Sequence, residues 1–197
     1  MMNDSVVGQT AAARVDRRVL LLPGWQGSGP GHWQSRWEER HGHRRVEQDD
    51  WLWPRRGDWM SRLDEVLLED DTPAVLVAHS LGCQLVSAWA AHSRLTARVH
   101  AALLVAPPDI ERSAAPPQLQ RWAPIVRQRL PFASTLVASS DDPFCEASRA
   151  AGMASDWGSE WLVVGACGHI NAESGLGDWD DGFALLRSIS QPLGAAT

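Results

Sequence analysis

The sequence predicts an α/β fold: a three-layer α/β/α sandwich around a mostly parallel sheet of about six strands. Three observations carry that expectation. Short apolar runs rich in β-branched residues alternate with amphipathic stretches of helical period. The strand runs are continuously apolar rather than alternating, as strands covered on both faces must be. The chain has 197 residues, 44% hydrophobic and 21% charged, which is ordinary globular usage and enough for one domain with a sizeable core.

Arg18–Leu22 (RVLLL) reads as the first strand, stopped by Pro23-Gly24. Trp33–His43 reads as a helix with Trp33 and Trp37 one turn apart on one face. Arg44–Gln48 is a weak second strand. Asp58–Leu68 reads as a helix, with Asp58 as N-cap and Met60, Leu63, Val66 and Leu67 along its buried face. After Thr72-Pro73 comes the strongest strand, Ala74–Ala78 (AVLVA), and then Leu81–His92, apolar all round and so a buried helix. Val99–Ala106 is the fourth strand, ended by Pro107-Pro108. Thr135–Ser139 and Glu160–Gly165 are the fifth and sixth, and Phe183–Ile189 closes the chain as a helix. Residues 1–17 are expected to be a flexible tail and 18–197 a single domain. Within it, the proline-rich stretch 107–131 is expected to form a short lid.

Composition excludes several function classes. The 18 basic residues are outnumbered by 24 acidic ones, for a net charge of −6, and no basic block argues for nucleic acid. All the basic residues are Arg and there is no Tyr, so lysine Schiff-base and tyrosine acid–base chemistry are impossible. Residues 1–17 lack the apolar core of a secretory signal, and no apolar run is long enough for a membrane span. A cytoplasmic protein is expected. The three Cys, at 83, 145 and 167, form no C-x-x-C pair and read as small packed thiols rather than a disulfide framework. No metal or organic cofactor is implied.

In parallel sheets, chemistry collects at the carboxyl ends of the strands. After the third strand stands Ala78-His79-Ser80-Leu81-Gly82: strand, sharp turn with a central Ser, then helix. A strained turn that presents a nucleophilic Ser needs small residues two places either side, and Ala78 and Gly82 meet that need. The Leu81 N–H, at the start of the helix, faces a developing oxyanion. His169 follows the sixth strand on a glycine loop and is the favoured base. His79 is its rival, but its side chain leaves the junction away from Ser80. Asp142, held extended by Pro143 after the fifth strand, is the favoured acid, with Asp109 and Asp141 as alternatives. The loop Pro23–Gly29 (PGWQGSG) offers a second oxyanion donor, the N–H of Trp25 or of Gln26. It lacks a G-K-[ST] and does not fit G-x-G-x-x-G, so nucleotide binding is not indicated. Gln26, His32 and Trp122 are candidate substrate contacts, and Trp179 a candidate neighbour of His169.

These segments resemble a known family. Pro23–Glu38 (PGWQGSGPGHWQSRWE), His79–Gly82 (HSLG), Ser139–Phe144 (SSDDPF) and Gly168–Trp179 (GHINAESGLGDW) are together similar to the small α/β-hydrolases of retinoblastoma-binding-protein-nine and YdeN type. The resemblance implies a reduced α/β-hydrolase fold and a Ser–Asp–His triad falling on Ser80, Asp142 and His169. It also implies hydrolysis of esters or amides. The chain has no L-x-C-x-E segment, so a partner role through that motif is not expected. The expected function is carboxylesterase-like cleavage of small esters through an acyl-enzyme. Amidase or peptidase action on small amides is the alternative. A non-catalytic binding protein on the same fold would require a damaged triad or a cleft plugged by Trp25 or Trp122.

Overall fold

A computed structural model describes residues 17–191. The tail expected over 1–17 lies outside the described residues except for Arg17. Six strands form one sheet: β1 (Arg18–Leu22), β2 (Arg44–Arg45), β3 (Ala74–His79), β4 (Val99–Val105), β5 (Ala133–Ala138) and β6 (Glu160–Val163). Their order is β2-β1-β3-β4-β5-β6, and every neighbouring pair is parallel, so the sheet is wholly rather than mostly parallel. The chain winds outward from β1 to β2, then crosses back to place β3 on the other side of β1. That reversal opens a crevice at the carboxyl ends of β1 and β3, where open α/β sheets bind ligands.

Five α-helices cover the two faces: α1 (Trp33–His41), α2 (Arg56–Leu68), α3 (Leu81–Ala90), α4 (Ala147–Trp157) and α5 (Asp180–Ile189). One face packs α2, α3 and α4 around Leu20, Leu76 and Leu104. The other packs α1 and α5 around Leu21, Val77 and Val105. Alternate residues of β1, β3, β4 and β5 thus feed two separate cores, which is why these strands read as unbroken apolar runs. Trp33, Trp37, Trp59, Trp89, Trp122 and Trp157 are fully buried. Each contributes roughly 4–6 kcal/mol of gross transfer free energy at about 25 cal/mol per Å².

Several boundaries differ from expectation for identifiable reasons. The first helix stops at His41 because Gly42 adopts a left-handed conformation (φ 66°) and closes it. The second begins at Arg56 rather than Asp58. Asp58 sits in its first turn, where it favours the helix dipole, and Arg55 caps without a side-chain bond. Helix α4 has no counterpart in the sequence reading. Its buried stripe of Ala150, Met153, Ala154 and Trp157 has full helical spacing, a signal that the sequence reading passed over. Strand β6 is half-exposed, as its place at the sheet edge dictates.

Candidate active site

Ser80 stands between the last residue of β3 and the first of α3, with φ 53° and ψ −122°. Non-glycine residues avoid this region, and surrounding packing must hold it there. Two glycines permit the close approach. A Cβ on Gly82 would lie 2.2 Å from the Leu22 carbonyl oxygen, and one on Gly24 would lie 2.6 Å from Ser80 Cβ. The β1 loop is therefore pressed against the Ser80 turn. It is fastened by residues that sequence reasoning passed over. Ser28 Oγ donates to Gln34 Oε1 at 2.7 Å, and Gln34 Nε2 donates to the Val77 carbonyl at 3.0 Å. Ser35 Oγ and Arg45 donate to the Ser28 carbonyl. The W-Q-S stretch at the start of α1 carried this signal, but as loop support rather than as chemistry.

The loops after β5 and β6 are clasped together. Ser139 Oγ donates to Asp141 Oδ1, while the N–H groups of Cys167 and Gly168 donate to Ser139 Oγ and Asp141 Oδ1. The clasp sets Asp142 against His169. Imidazole Nδ1 lies 3.0 and 2.9 Å from the two Asp142 carboxylate oxygens, and Nε2 lies 2.9 Å from Ser80 Oγ. An ionised carboxylate only accepts, so Nδ1 carries the proton and Nε2 turns its lone pair to the Ser80 hydroxyl. The Asp142 side chain is only 3% exposed, which shields the pair from water.

The alternatives to Asp142 and His169 are engaged elsewhere. Asp141 holds the clasp. Asp109 receives Arg149 at 2.9 and 3.0 Å, which together with the Glu111 N–H keeps its carboxyl below the usual range despite partial burial. His79 also lines the cavity, but its Nε2 donates to the His169 carbonyl at 2.9 Å and not to Ser80. Phe144, within the S-S-D-D-P-F segment, meets the His169 ring edge-on at 4.6 Å.

The N–H groups of Leu81 and Trp25 meet no acceptor among the described residues, whereas the Gln26 N–H donates to the Trp51 carbonyl at 3.0 Å. Leu81 follows Ser80 at the start of α3, and Trp25 follows Gly24, which packs closely against Ser80. A cavity of about 460 Å³ opens over Ser80, with Trp25, Gln26, His32 and Phe144 in its walls. Trp25 forms a wall and does not plug it.

Two expectations about tryptophans are corrected. Trp122 is 1% exposed and does not line the cavity. It packs edge-on against Trp59 and donates Nε1 to the Pro54 carbonyl, a partner that draws it into the core beside α2. Trp179 stacks on Trp37 and meets Trp33 at a tilt rather than packing on His169, filling the core on the α5 side of the sheet. Cys83 and Cys145 are buried thiols. Burial pushes Cys83 strongly upward and Cys145 up to about 12, so neither is a thiolate at neutral pH.

A family model described as serine hydrolase matches residues 19–188. The chain belongs to the serine hydrolase family. This serine hydrolase resembles a protein described as a YdeN-like hydrolase from Pectobacterium atrosepticum, at 30% identity and a TM-score of 0.77, over 88% of this chain and 90% of that one. It shares the fold of the ydeN gene product of B. subtilis, at 22% identity and a TM-score of 0.71, over 88% and 98% of the two chains. The same fold recurs in an esterase from Rhodococcus sp., at 15% identity and a TM-score of 0.67, over 90% and 91%. No protein of curated function matches the sequence. The chain is thus a YdeN-type small serine hydrolase on a reduced α/β-hydrolase fold. Among the described residues, no helix is long and apolar enough to cross a membrane.

Buried imidazoles link stability to pH. Burial lowers His32 to about 3, reinforced by Arg45 and His169, and pushes His79 well down, reinforced by His32 and His169. Unfolded, both titrate near 6.5. As pH falls below 6.5 the unfolded chain takes up protons that the folded chain refuses. Stability is lost at up to about 1.4 kcal/mol per pH unit for each imidazole. The urea midpoint at pH 5 is expected to lie clearly below that at pH 7; coincident midpoints would contradict the neutral, buried assignment.

Proposed function

We propose that the protein is a carboxylesterase-like hydrolase that cleaves small esters through an acyl-enzyme, with Ser80, His169 and Asp142 as its triad. The observation that carries this reading is the single imidazole hydrogen-bonded to Ser80 Oγ on one side and to both Asp142 oxygens on the other. Ser80 Oγ attacks the acyl carbonyl carbon while His169 Nε2 takes its proton. The resulting oxyanion is met by the N–H groups of Leu81 and Trp25, which have no other acceptor among the described residues. His169 passes the proton to the departing alcohol oxygen, leaving an acyl-Ser80 ester. Water then attacks that ester and gives a proton to His169. The tetrahedral intermediate collapses, the acid leaves, and the proton returns to Ser80 Oγ. Asp142 fixes the imidazole tautomer and stabilises the imidazolium formed in both halves.

Gln26 and His32 contribute cavity walls, and residues 107–131 act as a short lid, since Ile110, Ala115 and Leu119 of that stretch line the cavity. The substrates are small. The walls include the charged side chains of Arg112 and Glu173, which a long hydrocarbon would have to pass at a desolvation cost. Butyrate esters of 4-nitrophenol are expected to exceed the palmitate ester in kcat/KM by about tenfold or more. A preference for palmitate would overturn the assignment of substrate size.

A further inference from the structure

We propose that Arg112 selects substrates that carry a carboxylate, so that the preferred ester is an anion. The inference rests on the reading of Ser80 as nucleophile and adds the substrate's charge to it.

The stretch after β4 places three ionisable residues close together, Asp109, Glu111 and Arg112. The two acids are already satisfied. Asp109 is held by Arg149 through two nitrogens, and Glu111 by Arg149 at 2.7 Å and Arg127 at 2.9 Å. Arg112 is not matched in this way. Its guanidinium donates to the Pro143 carbonyl and lies 5.8 Å from the centre of the Phe144 ring, and no carboxylate among the described residues pairs with it. It is half-buried and lines the cavity over Ser80.

Position and rigidity make this cation a recognition group. Phe144 meets both the His169 ring, at 4.6 Å, and the Arg112 guanidinium, at 5.8 Å, and all three line the same cavity. One N–H is fixed on a backbone carbonyl and the plane is supported by an aromatic face. Most of the side-chain entropy is therefore lost before any ligand arrives. A guanidinium retains several further donors in a fork that matches a carboxylate. Ile110, Ala115 and Leu119 give the same cavity an apolar wall, which weakens screening there. Two carboxylates also line the cavity, Asp109, already held by Arg149, and Glu173. Glu173 lies on the turn Ala172–Ser174, beside Gly31 near the start of α1, and it would turn an anionic group toward Arg112. The chain's net charge of −6 repels anions at long range, so any preference for them must arise locally.

The carboxylate can belong to either half of the ester, and two substrate pairs separate the cases. The first compares 4-nitrophenyl hemiglutarate with the neutral 4-nitrophenyl pentanoate. The second compares the butyrate ester of 4-hydroxybenzoate with that of its methyl ester. Rates are corrected for the Ser80→Ala background. The wild type is expected to favour the anionic member of at least one pair by roughly tenfold in kcat/KM. Arg112→Gln is expected to bring that ratio near unity, and Arg112→Lys to keep part of it. Higher salt should shrink the wild-type ratio. Ratios near unity in both pairs, or a ratio unchanged in Arg112→Gln, would overturn the inference. Fluorophosphonate labelling keeps the two readings apart. A labelled wild type with no charge preference removes only the role of Arg112. An unlabelled wild type removes the nucleophile on which it rests.

Discussion

Ser80→Ala is expected to lower kcat on a short-chain ester by about 10⁶, to a residue set by the remaining oxyanion donors and binding. The size of the effect follows from how the group is wired. His169 Nε2 has one acceptor role, toward Ser80 Oγ at 2.9 Å, and the strained Ser80 backbone exists only to present that oxygen. Removing Oγ leaves the imidazole and Asp142 with nothing to activate. The fold should survive, because the substitution deletes one atom that faces a cavity and relieves no packing. The decisive comparison is single-turnover hydrolysis by the wild type and the variant at equal concentration. A variant within a hundredfold of the wild type would mean that another group performs the attack.

Asp142→Asn is expected to cost about 10⁴ in kcat while leaving the fold intact. The amide is the same size and can still accept from the Phe144 N–H, which now donates to Asp142 Oδ1 at 2.8 Å. What changes is the tautomer. An amide NH₂ facing Nδ1 places the lone pair there and the proton on Nε2, and a protonated Nε2 cannot take the Ser80 proton. Asp109→Asn gives the contrast. It disturbs the ion pair with Arg149 but removes no hydrogen bond to the imidazole, and should change kcat far less. Equal losses in the two variants would contradict the assignment of Asp142 as the orienting acid.

Much of the fold was legible because the central strand runs are largely apolar and bounded by Pro or Gly. Arg18–Leu22 falls on the residues expected, and Pro23-Gly24 ends it. The placement of Ser80, Asp142 and His169 was legible for a related reason. Each follows a strand that the sequence marks clearly, and a parallel sheet brings all strand ends to one edge. The choice among Asp142, Asp141 and Asp109 was not open to spacing alone. It turns on Arg149 of α4 reaching across to Asp109, and on Asp142 meeting the imidazole, contacts that no sequence spacing reveals. Trp122 illustrates a different limit. An indole suits a cavity wall and a core equally well, and only the Pro54 carbonyl decides between them. Arg112 is hidden in another way. With every basic residue an Arg, one without an acidic partner cannot be told from the rest until the ion pairs are known.

The central claim is that Ser80 is an activated nucleophile. Its most direct test is a fluorophosphonate probe read by intact mass and peptide mapping on the folded wild type and Ser80→Ala. The account predicts one covalent adduct on the peptide containing Ser80, formed within minutes, and none on the variant. A well-folded wild type that stays unlabelled, or a variant that labels equally, would contradict it.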